Sequence, residues 1–196
     1  LPNLTRSAAA TGALAIQNRG TLGGNIVNAS PAADTPPSLL AYGAELELAS
    51  PRGRRVVPYE AFHLDYKRMD LAPDELLVAI RVPLPPEPGF HAFRKVGTRQ
   101  AQAISKVALA LHATLAEGKV AQARVGFGAV APTPLRARRV EALLQGRSLD
   151  ALPVAEAREA LQADISPIDD IRASAHYRRV VAGNILARML EGLTRA

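Results

Sequence analysis

The 196 residues are 48% hydrophobic and 21% charged, which is enough apolar material for a packed core and unlike a disordered tail. The net charge of +6 comes from 24 basic against 18 acidic side chains, but aromatics make up only 4% and tryptophan is absent. A nucleic-acid surface pairs a basic stripe with stacking aromatics, and no such module is present. The absence of cysteine excludes disulfides, thiolate zinc sites and cysteine-ligated iron–sulfur clusters. No apolar run has the length of a membrane span and no signal-peptide pattern opens the chain, so the cytoplasm is the expected compartment.

In chain order, residues 1–16 read as a short helix with Leu4, Ala8 and Leu14 toward a core and Gly12 weakening its end. The stretch Asn18-Arg19-Gly20-Thr21-Leu22-Gly23-Gly24-Asn25-Ile26-Val27-Asn28 follows, with Pro31 and Asp34 closing it. Glycines permit positive φ and close approach of backbone to a ligand, so a loop of small residues suits a pyrophosphate or nucleotide. By composition alone it is equally an ordinary glycine turn before a helix. Thr35 to Tyr42 reads as that helix, ending at Gly43. Glu45 to Ser50 alternates polar and apolar, and Pro51-Arg52-Gly53-Arg54 turns it back into Arg55-Val56-Val57-Pro58 as a hairpin. Tyr59 to Phe62 makes one helical turn, and Glu75 to Val82 a further strand stopped by Pro83.

Leu84-Pro85-Pro86-Glu87-Pro88-Gly89 is a stiff connection and the expected boundary between units of residues 1–86 and 90–196. Beyond it, Phe90 to Arg99, Lys106 to Leu115 and Val120 to Val130 read as strands, the last two joined at Glu117-Gly118. Helices are expected from Pro134 to Leu144, Val154 to Ala163 and Ala173 to Leu193. The last carries Tyr177, Val181, Ile185, Met189 and Leu193 as a core-facing stripe. The sum is an α+β chain of two small antiparallel sheets with helices, the second sheet three-stranded.

Several catalytic patterns fail on context. Gly126-Phe127-Gly128-Ala129-Val130-Ala131 fits G-x-G-x-x-A with Asp150 downstream, but it lies inside a strand rather than at a strand-to-helix turn. Alternate glycines there clear one sheet face for a closely packed helix. The four histidines are scattered without metal-ligand spacing, and Ser30 and Ser105 have no neighbouring base or nucleophile elbow. Acidic pairs such as Asp74-Glu75 sit beside turns, where capping and solvent explain them.

Arg19-Gly20-Thr21-Leu22-Gly23-Gly24-Asn25 ahead of Pro31 and Asp34 resembles the flavin-binding segment of the molybdenum hydroxylase flavoproteins. These are the FAD-binding medium subunits of the xanthine dehydrogenase and carbon monoxide dehydrogenase families. Asp74 to Pro83, Phe93-Arg94-Lys95-Val96-Gly97, Ile104 to Val107, Gly128 to Ala137 and Tyr177-Arg178-Arg179 are similar to the family in order and spacing.

The resemblance implies the second lobe of a PCMH-type FAD-binding domain over residues 1–86. It implies a domain like the C-terminal domain of carbon monoxide dehydrogenase flavoprotein over 90–196. FAD is then the cofactor, held by Thr21, Leu22, Gly23, Gly24, Asn25, Asp34, Leu77 and Lys95, with Ile104 near the isoalloxazine and Lys106 closing a loop beside it. The chain's own residues need no catalytic proton transfer. The family's Tyr-Arg-Lys-Thr stretch appears as Tyr66-Lys67-Arg68-Met69, a departure. Implied partners are a molybdopterin-binding large subunit, a small subunit with two 2Fe–2S clusters, and NAD or another acceptor. The family carries a further N-terminal lobe with a second glycine loop, which this sequence does not include. A docking module without flavin is the competing expectation.

Overall fold

The computed structural model describes residues 1–85 and 89–195. The middle of the expected boundary, Pro86-Glu87-Pro88, lies outside the described residues.

The chain starts with two short helices rather than one, α1 (Pro2–Ala9) and α2 (Leu14–Gln17), broken where Gly12 takes φ 60°. The Gln17 side-chain amide donates to the Ala9 and Thr11 carbonyls and so satisfies backbone acceptors that the break frees. Of the expected core face, Leu4 packs against a core as expected, but Ala8 is exposed and Leu14 is 72% exposed, while Asn3 and Ser7 are buried. Asn3 is buried with most of its polar groups engaged, its side-chain Oδ1 being the exception among the described residues. Its amide donates to the Tyr42 hydroxyl, its Nδ2 to the Leu111 carbonyl, and its carbonyl accepts from Ser38 Oγ.

The glycine stretch is a helix, not a loop: α3 (Leu22–Val27) contains both Gly23 and Gly24. Then α4 (Pro36–Tyr42) has every residue buried and ends, as the sequence predicts, at Gly43 with φ 65°. A hairpin of β1 (Glu45–Ser50) and β2 (Gly53–Pro58) is joined by β5 (Leu76–Arg81) in a three-stranded antiparallel sheet ordered β2-β1-β5. A small hairpin that the sequence does not announce, β3 (His63–Asp65) with β4 (Arg68–Met69), interrupts this meander. Ile26, Leu39, Leu46, Leu48 and Phe62 form its core.

The second sheet is ordered β6-β7-β8-β9, from β6 (Gly89–Val96), β7 (Val107–Ala116), β8 (Lys119–Gly128) and the two-residue β9 (Leu135–Arg136). The helix expected from Pro134 begins only at α5 (Arg138–Leu144), because Leu135 and Arg136 are taken up pairing with Phe127 and Gly126. With α6 (Val154–Asp164) and α7 (Ala175–Leu193) it covers one face over a core of Leu109, Leu111, Val125, Phe127, Leu161 and Leu186. The stripe expected on α7 holds at Met189 and Leu193, which are buried, and is corrected over its first half. Tyr177 is exposed and Val181 and Ile185 are half-buried, whereas Ala182, Leu186 and Leu190 are buried. Residues four apart drift by about 40° per step on a 3.6-residue helix, so such a stripe winds off the contact face.

On the other face of the second sheet lies α4. A Cβ at Gly126 would stand 2.2 Å from the Pro37 carbonyl oxygen, and one at Gly128 3.2 Å from Pro37 Cγ. The strand glycines thus serve helix packing, as their context indicates. Through α4 the two cores meet, since Leu39 and Leu40 face the smaller one. His91 and His112, far apart in sequence, sit cross-strand with ring centroids 4.8 Å apart beside Tyr42.

Candidate functional site

A groove of about 660 Å³ opens between the end of α1, α2 and α3, with Thr21, Leu22, Gly24 and Asn25 along one wall. Thr21 caps α3: its Oγ1 accepts from the Gly24 amide at 2.9 Å. The first-turn amides of Leu22 and Gly23 have no partner within the helix. Thr35 Oγ1 donates to Asn25 Oδ1 at 2.6 Å, which fixes the amide plane and leaves Asn25 Nδ2 as a donor on the groove wall. At the other end of α3, His63 Nε2 donates to the Ile26 carbonyl at 3.0 Å, and Lys67, at the tip of the β3–β4 hairpin, donates to the Asn28 carbonyl. Burial holds the His63 pKa below the ordinary histidine value. The small hairpin therefore secures the helix whose first turn faces the groove.

The remaining expected residues lie elsewhere. Gly23 faces away from the groove, where a Cβ would touch Leu77 Cδ2 at 3.8 Å, and Leu77 packs on the smaller core. Asp34 and Lys95 form a buried ion pair, Nζ to Oδ2 at 2.6 Å, with Asp34 7% exposed. Ser105 Oγ donates to the other carboxylate oxygen at 2.7 Å, and Lys95 also donates to the Ala10 carbonyl at 2.8 Å. Burial raises the Asp34 pKa above the ordinary carboxylate value, against the hydrogen bonds from Lys95 and Ser105 that lower it. This cluster ties the end of α1 to β6 and to the close of the 97–106 loop. That loop also leans on α1's end, with the Gln102 amide donating to the Gly12 carbonyl at 2.9 Å, and it leaves Ile104 60% exposed. Arg178 holds the loop's last residue by donating to the Lys106 carbonyl at 2.8 Å.

Sequence reasoning missed Gln17, Arg19, Asn28 and Thr35 as groove residues. Arg19 belongs to the motif itself and was the legible one; Thr35 acts through Asn25 ten residues back, which no local pattern reveals. Among the described residues no carboxylate lines the groove, Arg19 brings a positive charge, and Ala8, Ala9 and Ile16 supply apolar surface. That donor set fits an anionic ligand with a flat or apolar portion. Among the described residues no cluster of histidine and carboxylate groups is arranged for a metal, and no helix is long and apolar enough to cross a membrane.

The fold is an α+β arrangement with a groove suited to an anionic ligand, and comparison with known proteins supplies the class. Residues 1–85 match the model of the FAD binding domain in molybdopterin dehydrogenase, and residues 91–193 that of the CO dehydrogenase flavoprotein C-terminal domain. The xanthine dehydrogenase FAD-binding subunit of Escherichia coli O157:H7 is 36% identical, over 91% of this chain and 61% of its own length. The carbon monoxide dehydrogenase medium chain of Afipia carboxidovorans is 35% identical, over 90% and 61%. In structure, a chain of cyanide-inactivated Cu,Mo-CO dehydrogenase superposes with a TM-score of 0.93 at 32% identity, over 100% of this chain and 68% of that one. The chain belongs to the family of FAD-binding medium subunits of the xanthine and carbon monoxide dehydrogenases. It spans about three fifths of the length of the curated relatives it matches.

Proposed function

We propose that this chain is part of the FAD-binding, electron-transferring component of a molybdopterin-dependent hydroxylase, acting between 2Fe–2S clusters and NAD or another acceptor. The observation that carries the reading is the groove wall of Thr21, Leu22, Gly24 and Asn25, a family motif that here presents donors, a cation and no carboxylate. Bound there, FAD supplies the redox chemistry, and the protein supplies position and electrostatics. Thr21 keeps α3 capped, the Leu22 amide and Asn25 Nδ2 would donate to oxygens of the cofactor, and Arg19 would offset the phosphate charge. Asp34 and Lys95 fix Ala10 and the loop before Lys106, at the margin of the contact set, and Leu77 supports Gly23 from below.

The division into units 1–86 and 90–196 belongs to the same reading, supported by two separate sheets and bridged by α4. Large molybdopterin and small iron–sulfur subunits are its partners. That Asp34 and Lys95 are already satisfied by each other favours one alternative, a docking module that holds no flavin.

In the complete subunit, Gly24→Val puts branched atoms on the groove wall, with Cβ 3.0 Å from Thr21 Oγ1. Affinity for FAD, titrated by flavin fluorescence, is expected to fall about tenfold, the equivalent of roughly 1.4 kcal/mol, and flavin content on purification should fall with it. Far-ultraviolet circular dichroism should stay unchanged. Wild-type flavin content in the variant refutes the groove as the cofactor site, and a colourless wild-type subunit establishes the docking module. Reoxidation of the assembled complex by NAD, a quinone or oxygen identifies the acceptor.

A further inference from the structure

A second groove, of about 480 Å³, lies where α1, β6 and α7 meet. Its apolar surface is Phe90, Phe93, Val181 and Ile185, all half-buried, and its rim carries Arg6, Arg94 and Arg188, all exposed. Among the described residues no carboxylate lines it. At two other cavities the arginines have carboxylates beside them. The cavity around Arg55 contains Asp70 and Glu75, both ion-paired to it, and the cavity at Arg124 contains Glu45 and Glu60. At the second groove, Arg94 and Arg188 make no hydrogen bond or ion pair among the described residues, and Arg6 spends only NH1, on the His91 carbonyl. Three elements from distant parts of the sequence thus bring three guanidinium groups to one apolar trough. β6 is also an edge strand, paired to β7 alone.

Guanidinium groups are matched to carboxylates by their planar forks. A bare inorganic anion would leave the phenylalanine and α7 side chains facing water, so the complement must carry both charge and apolar surface. An extended polypeptide does so economically, because its side chains alternate between opposite faces. Apolar residues enter the trough while acidic ones meet the rim. We infer that the β6–α7 groove docks an acidic, extended segment of a partner polypeptide whose alternate side chains are apolar. Because the rim charges are exposed, they act mainly on encounter and on choice of partner, and their effect is screened by salt.

The test uses the complete subunit and a fluorescein-labelled octapeptide of alternating glutamate and leucine, followed by anisotropy. Saturable binding is expected, weakening as salt rises. Arg94→Glu combined with Arg188→Glu should weaken it about tenfold or more, because attraction becomes repulsion at two of the three rim positions. Both residues are exposed, so thermal stability should not move. Arg147→Glu, at the exposed turn after α5, should leave binding unchanged. Replacing leucine by serine in the peptide should also cost about tenfold, since the apolar trough is then unfilled. The proposal is overturned if the double variant binds as wild type does, or if the serine peptide binds equally well. It is also overturned if a labelled single-stranded oligonucleotide binds more tightly than the peptide and is lost in the double variant. Flavin content measured on the same samples reports the cofactor reading separately, since neither substitution touches the α3 groove.

Discussion

Two glycine pairs of this chain look alike on paper and do opposite things. Gly126 and Gly128 vanish under α4, where the missing side chains are replaced by the Pro37 backbone and ring. Gly23 and Gly24 sit in α3 with helical backbone, one above Leu77 and the other on the groove wall with only the Thr21 hydroxyl nearby. In the first pair glycine makes room for another part of the protein. In the second, Gly24 lets the Thr21 cap pass close, a Cβ there standing 3.0 Å from its Oγ1, and keeps the groove wall low. Neither pair is there for positive φ, so backbone freedom explains neither.

Graded substitutions sharpen this contrast. The largest effect is expected at Gly126→Ala, because its Cβ would lie 2.2 Å from a backbone oxygen that cannot rotate away. Overpacking of this kind should cost about 3 kcal/mol in urea unfolding and loosen α4 from the sheet. Gly128→Ala meets a ring carbon at 3.2 Å and the Ala33 carbonyl at 3.4 Å, contacts that small shifts relieve. About 1 kcal/mol is expected by the same measurement. At the small end, Gly23→Ala makes only an ordinary contact with Leu77 at 3.8 Å and gains helix propensity. It should stabilise the subunit by about 0.5 kcal/mol, read as a rise in urea midpoint at unchanged slope. A Gly126→Ala subunit as stable as wild type, or a Gly23→Ala subunit much less stable, would break the comparison.

The contrast also marks what the sequence can disclose. The strand glycines were readable because prolines follow them and a helix-opening motif was absent, and the end of α4 because Gly43 stands where a left-handed cap belongs. The β1–β2 hairpin was readable from turn chemistry alone. α3 was not, since two adjacent glycines oppose helix by propensity, and it is the Thr21 cap and the His63 and Lys67 contacts that hold it. The burial of Asn3 was equally hidden, because its partners are 39 and 108 residues away. At the candidate site, the motif pointed to Thr21, Leu22, Gly24 and Asn25, which the fold does gather. It could not show that Asp34 would be engaged by Lys95 and Ser105, since apolar pattern and local spacing carry no record of a pairing across sheets.

That buried pairing has a consequence in time. Asp34 and Lys95 are 61 residues apart in the chain, and Asp34 and Ser105 are 71 apart. During synthesis at about 5–20 residues per second, roughly 4–14 s pass between the appearance of the carboxylate and of its last partner. Throughout that interval Asp34 must stay hydrated, because a lone carboxylate does not enter a low-dielectric interior. The strap between α1's end and β6 therefore closes late. Until β6 and the segment after it have emerged, the nascent end of α1 lacks that anchor.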